Sequence, residues 1–216
     1  MMGSGSTGTA RPALGGGWWW VASALALLSA CASSPPVAFY VLSPLPEAQA
    51  RAQTLREGDL SLGIGPLSLP DFLDRPQLVN ASGPNRLELD EYQRWGGSLR
   101  TDLLNVLAEN LAHLLGTSRV QILPAEVPLP VDYRLILDVT RFGIDGEGQA
   151  HLKVRWTLVR PGADAALVQR ESSYRRSLVE RDTAARVAAL SATLGEFSRE
   201  VAETLGGLPR SGVSRP

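Results

Sequence analysis

Tyr133-Arg-Leu-Ile-Leu-Asp-Val139 and Leu152-Lys-Val-Arg-Trp-Thr-Leu158 each place an apolar residue at every second position. A period of two sends successive side chains to opposite faces of a strand, so Tyr133, Leu135, Leu137 and Val139 share one face. Leu152, Val154, Trp156 and Leu158 do the same. Gly143-Ile-Asp-Gly-Glu-Gly148 lies between the two runs and supplies turn residues. Together these segments predict a long antiparallel hairpin with one face on a core. Residues 167–179 read as a third strand, more polar and hence nearer an edge or interface.

Working outward, two stretches change period. Leu99, Leu103, Val106, Leu107, Leu111, Leu114 and Leu115 recur at steps of three and four, which predicts a helix with one apolar stripe and Gly116 as its C-cap. A second helix starts near Asp182 and Thr183, carries Val187, Leu190, Leu194, Phe197, Val201 and Leu205, and ends at Gly206-Gly207. Shorter strands are expected at 39–42, 59–65, 77–80, 86–90 and 119–123, the second broken by Gly65-Pro66. Residues 46–58 read as a linker or a short surface helix, and 69–76, held between prolines, as a loop or single turn. The expected architecture is α+β: a single domain, with a mostly antiparallel sheet and two long amphipathic helices packed on one face.

Composition removes several classes. Among 216 residues the net charge is -1, so no overall pull toward nucleic acid exists. One cysteine, Cys31, excludes an internal disulfide framework, and two histidines 38 positions apart, His113 and His151, make a poor metal set. Asp145 and Glu147 lie in the hairpin turn without the spacing of a calcium loop. Gly63-Ile-Gly65 runs into Pro66 and opens no helix, unlike a nucleotide loop. Residues 149–152 place His151 opposite Leu152, where partial exposure is expected, and His113 lies off its helix's apolar stripe, at the surface. No catalytic residues, metal or soluble cofactor are expected. Arg170, Arg175, Arg176, Arg181 and Arg186 form a basic stretch that reads either as a solvated face balanced by Glu171, Glu180 and Asp182, or as a contact for an acidic surface.

The amino terminus carries the committed chemistry. Trp18 begins an uncharged, largely apolar run of eleven residues that ends at Leu28. Such a run is too short for a bilayer core, which needs about 20 helical residues. It suits the apolar region of a signal peptide. Leu28-Ser29-Ala30-Cys31 resembles the bacterial lipobox. That resemblance implies cleavage between Ala30 and Cys31, diacylglycerol on the Cys31 sulfur and an acyl chain on the new amine. Three chains anchor firmly, because each buried CH₂ contributes about 0.8 kcal/mol. Ala32 stands where Asp would signal inner-membrane retention in enterobacterial lipoproteins, which implies the periplasmic face of the outer membrane. Residues 1–30 are thus expected to be removed, 31–38 to tether, 39–206 to fold as one domain and 207–216 to form a flexible tail.

The order of several short segments resembles a known family. Phe39-Tyr-Val-Leu-Ser-Pro44 is similar to the Phe-Tyr-x-Leu-x-Pro opening of the ABC-type transport auxiliary lipoproteins, the PqiC-like family. Ile64-Gly-Pro-Leu-Ser-Leu-Pro-Asp-Phe-Leu-Asp-Arg-Pro-Gln-Leu-Val79 resembles its Leu-Asp-Arg-Pro segment. Trp95 with Leu107-Ala-Glu-Asn-Leu111 and the hairpin from Asp132 to Phe142 match further motifs. The resemblance implies a non-enzymatic subunit of an intermembrane lipid transport system. Its partners would be an MCE-domain protein and, through it, an ABC permease and ATPase, with a homo-oligomer suggested by analogy. Phe72, Leu73, Asp74 and Arg75 form a candidate docking loop, stiffened by Pro70 and Pro76. The open alternatives are that Phe72 and Leu73 pack beneath the loop while Arg75 pairs locally, and that the protein is an envelope assembly lipoprotein unrelated to transport.

Overall fold

A computed structural model describes residues 36–52, 60–83, 85–163, 165–180 and 182–208. The expected signal peptide, Ala30, Cys31, Arg181 and the residues after Leu208 lie outside these residues. A compact unit begins at Val37. Its elements run β1 (Ala38–Tyr40), α1 (Glu47–Ala52), β2 (Leu62–Ser68), β3 (Gln77–Ala81), β4 (Leu87–Trp95), α2 (Leu99–Leu115), β5 (Val120–Ile122), β6 (Tyr133–Ile144), β7 (Gln149–Val159), β8 (Ala166–Ser177) and α3 (Thr183–Gly207).

The β6–β7 hairpin is the trunk of the sheet. Its registers run from Arg134 opposite Val159 to Ile144 opposite Ala150, and β8 adds to β7 antiparallel along its whole length. Asp145 builds the turn: its Oδ1 accepts from the backbone N–H groups of Glu147 and Gln149 at 3.0 and 2.9 Å. On the other edge of β6 the sheet forks. β2 pairs parallel with the first half of β6 and carries β5, whereas β3 touches β6 only where Asn80 meets Ile144. β4 then pairs antiparallel with β3, and β1 lies parallel on β4. The result is a mixed, mostly antiparallel sheet, because the antiparallel ladders are the long ones.

Both helical stripes are buried as their spacing requires. Every apolar position read from the periodicity of α2 and α3 lies in the core, along with the sheet residues Leu62, Ile64, Leu135, Val154, Trp156 and Leu158. Each fully buried leucine contributes about 1.5–3 kcal/mol over an exposed one. Trp156 meets Phe197 of α3 edge-on at 6.0 Å between centroids and donates its indole N–H to Ser172 Oγ at 3.0 Å. Ser98 caps α2, Gly116 ends it in the left-handed conformation, and Asp182 caps α3 by accepting from Ala185 N at 2.7 Å.

Expectations for β4, β2 and His151 need correction: β4 runs on past Asp90 to Trp95 through a bulge against β3. β2 does not stop at Gly65-Pro66; it continues to Ser68, with Pro66 inside a register shift against β6 where no ladder donor is required. Gly65 has φ +123°, and a Cβ there would lie 2.5 Å from the Leu123 carbonyl oxygen. The third correction is His151, which is buried rather than partly exposed. It stands in register between Gly143 and Arg175 and its Nε2 hydrogen-bonds Ser173 Oγ at 2.9 Å.

Candidate functional site

The loop between β2 and β3 is fixed from within. Pro70 O accepts from Leu73 N at 2.9 Å and from Asp74 N at 3.3 Å, and Arg75 N donates to Leu73 O at 2.9 Å. Arg100, on the first turn of α2, reaches under the loop, where its guanidinium bonds Leu67 O and meets Asp74 Oδ2 at 2.8 Å. Pro76 O accepts from Trp95 N at 2.7 Å and closes the far end. The four candidate residues therefore separate into different roles. Leu73 is 4% exposed and packs beneath the loop against Leu78, Trp95 and Leu99, so it is not available as an anchor. Asp74 is engaged by Arg100. Phe72 and Arg75 face outward, and among the described residues the Arg75 side chain meets no ion-pair partner.

A second arrangement was not anticipated. Residues 42–45 lie as a strap across both long helices, and side chains receive their backbone donors. Leu42 N donates to Asp102 Oδ2 at 2.7 Å, Ser43 N to Ser191 Oγ at 3.1 Å, and Leu45 N to Asn110 Oδ1 at 2.7 Å. Asn110 Nδ2 in turn donates to Ser198 Oγ at 3.1 Å, so one amide ties the strap, α2 and α3 together. Leu42 and Leu45 are buried, and Gly195 makes room for Leu45: a Cβ there would lie 2.6 Å from Leu45 Cδ2. Burial pushes the Asp102 carboxyl above its ordinary range, and the Leu42 N–H partly offsets this. The signal was available: Asn110 is a polar residue set between Leu107 and Leu111 on an apolar stripe, and buried polar groups find partners.

Three arginines of the basic stretch, Arg170, Arg175 and Arg176, are paired, with partners other than those expected. Arg176 meets Glu196 at 2.7 Å and Arg170 meets Glu200 at 3.6 Å, both carboxylates on α3. Arg175 lies 3.6 Å from Asp145 at the hairpin turn, while Glu171 is taken by Lys153 at 2.8 Å. Arg186 lines a small apolar cavity beside Leu73, Trp95 and Phe142 that has room for about one water molecule. Tyr174 donates its hydroxyl to Glu200, and burial together with that carboxylate pushes its pKa upward. His113 is half-buried on α2. Among the described residues no group of three or more His, Cys, Asp or Glu side chains is placed to hold a metal ion, and no helix is long and apolar enough to cross a membrane.

The fold is shared with solved structures. An uncharacterized protein superposes with a TM-score of 0.64 at 20% identity, covering 79% of this chain and 99% of its own. Protein XCC0632 from Xanthomonas campestris, assigned to the family model DUF330, gives 0.61 at 19% identity, covering 76% and 92%. PelC from Paraburkholderia phytofirmans, solved as a dodecamer, is more distant at 0.44 and 15% identity, covering 72% and 93%. No curated protein matches the sequence. The family model for the ABC-type transport auxiliary lipoprotein component matches residues 40–202, and the chain belongs to that family.

Proposed function

We propose that this protein is a non-enzymatic lipoprotein subunit of an MCE and ABC-type intermembrane lipid transport system. It is anchored through acylated Cys31 in the outer membrane and docks the periplasm-spanning MCE component there. The observation that carries the reading is the family match across residues 40–202, joined to the Leu28-Ser29-Ala30-Cys31 tetrapeptide upstream. The 69–76 loop supports it in physical terms. Its backbone is held by Pro70, Arg100 and Trp95, so little ordering cost remains on binding, and Phe72 with Arg75 presents an apolar anchor beside a charge.

Affinity capture with the processed protein, against the MCE-domain protein encoded nearest to it, tests the docking. Retention of that partner, lost on Phe72→Ser with Arg75→Glu, is the expected result. No retention with the native loop removes the transport reading and leaves an envelope assembly lipoprotein. Mass spectrometry of the membrane-extracted protein tests the anchor: a chain beginning at residue 31 and carrying diacylglycerol and an acyl group is expected, and an unmodified Cys31 overturns it.

A further inference from the structure

We propose that the outward face of β1, with the adjoining end of β4, seats the domain on the lipid bilayer itself. This inference rests on the lipidated Cys31 reading and deepens it. Phe39 is 67% exposed, and Val41 and Val37, two positions away on either side, are 61% and 44% exposed. Tyr40 and Trp95 share a register position and turn the other way, with Trp95 buried. Phe39 is therefore held outward by the strand's period of two, since Tyr40 is committed to the core.

What covers this face follows from chain length and charge. Phe39 lies eight positions after Cys31, and a fully extended segment of that length spans at most about 29 Å. An acylated Cys31 thus keeps Phe39 within that distance of the membrane surface. No charged side chain occurs from Cys31 through Pro46, so nothing along this path resists the interface. The nearest cation on the same face is Arg94, in register with Phe39. Its only ion pair among the described residues is with the exposed Glu91 at 3.6 Å, and its guanidinium stays partly exposed. Tyr92, exposed on the same strand, completes an aromatic, apolar and cationic rim of the kind that favours a headgroup boundary. The strap at residues 42–45 then fixes the angle between this face and the two long helices.

The test uses the processed, membrane-extracted chain in vesicles of phosphatidylethanolamine and phosphatidylglycerol that contain nitroxide-labelled lipid. Cys31 is the native chain's one cysteine and its sulfur is occupied by lipid, so an introduced thiol takes a fluorophore uniquely. Labels at Phe39→Cys and Val41→Cys are expected to be quenched at least about twofold more than labels at Val127→Cys and Glu147→Cys. Equal quenching at all four positions, or none at 39 and 41, overturns the seating. A label at 39 that is shielded only when the protein partner is added also overturns it, and gives the face to that partner. The mass of the same sample separates the two levels: absence of diacylglycerol removes the lipidation reading and this one together, whereas a diacylated chain without quenching removes this one alone. All four positions are exposed, and coincident urea midpoints for the variants establish that folding is not the cause.

Discussion

Leu45 donates its backbone N–H to Asn110 Oδ1 at 2.7 Å, a buried bond between residues 65 positions apart. The other end of the same amide reaches Ser198 on α3. Replacing Asn110 with leucine leaves the Leu45 donor buried without an acceptor. A buried unsatisfied donor costs about 1–3 kcal/mol, and a loss of that size is expected in urea unfolding with the slope unchanged. An unaltered midpoint would remove the strap's structural role.

Gly195 and Leu45 form the apolar counterpart of that bond. Gly195→Ala drives a methyl group to 2.6 Å from Leu45 Cδ2 and is expected to destabilise by about 1–3 kcal/mol, despite alanine's better helix propensity. Adding Leu45→Ala should recover part of the loss contributed by the clash. Strict additivity of the two substitutions in a double-mutant cycle would show that they do not meet.

At the 69–76 loop, stability and the proposed binding fall on different side chains. Leu73→Ala opens space beside Leu78 and Leu99 and is expected to cost about 2–5 kcal/mol. Phe72→Ser and Arg75→Glu change outward-facing groups and should leave the thermal midpoint near the native value while weakening partner capture. Thermal unfolding and capture, measured on the same three variants, check both halves.

His151 makes folding sensitive to acid. Burial lowers its pKa below the ordinary 6.5, and the nearby charges of Arg175, Arg141 and Lys153 lower it further, against the opposing pull of Asp145. Between the folded value and 6.5 the unfolded chain binds more protons, so its contribution is fully present above pH 6.5 and is lost as the pH falls through the folded value. Asp102 acts with the opposite sign: its raised pKa favours the folded chain as its carboxyl protonates above 3.8. His151→Gln, neutral at every pH, is expected to flatten the decline in urea midpoint from pH 7 toward the folded value. An unchanged pH profile would place the acid sensitivity elsewhere.

The hairpin and both long helices were legible because their signals are local: a period of two over residues 133–158, and steps of three and four along α2 and α3. The fork in the sheet was not. β2 finds β6 and β5 in parallel through partners far along the chain, and no spacing in residues 62–68 announces them. Pro66 read as a break because a missing N–H ends most ladders, yet here it falls in a register shift while Arg134 Nε bonds the Gly65 carbonyl at 2.9 Å. β4 was expected to end near Asp90 and instead bulges there, with Asp90 Oδ1 accepting from Tyr92 N and Gln93 N, before continuing to Trp95. At the loop, Phe72 and Leu73 are adjacent in sequence but only Leu73 is buried, a choice made by the turn at Pro70. The arginines' partners on α3 were invisible for the same reason as the fork: they depend on which elements meet.

The strap also sets an order in time. Its Ser43 donor waits for Ser191, 148 positions later, and its Leu45 acceptor is steadied by Ser198. Contacts so distant along the chain form only once most of it is present, and closing them is slow compared with local pairing. The strap, made ahead of both long helices that it touches, is consequently among the last segments to be fastened. Nearly the whole domain must be in place before this early segment can be held.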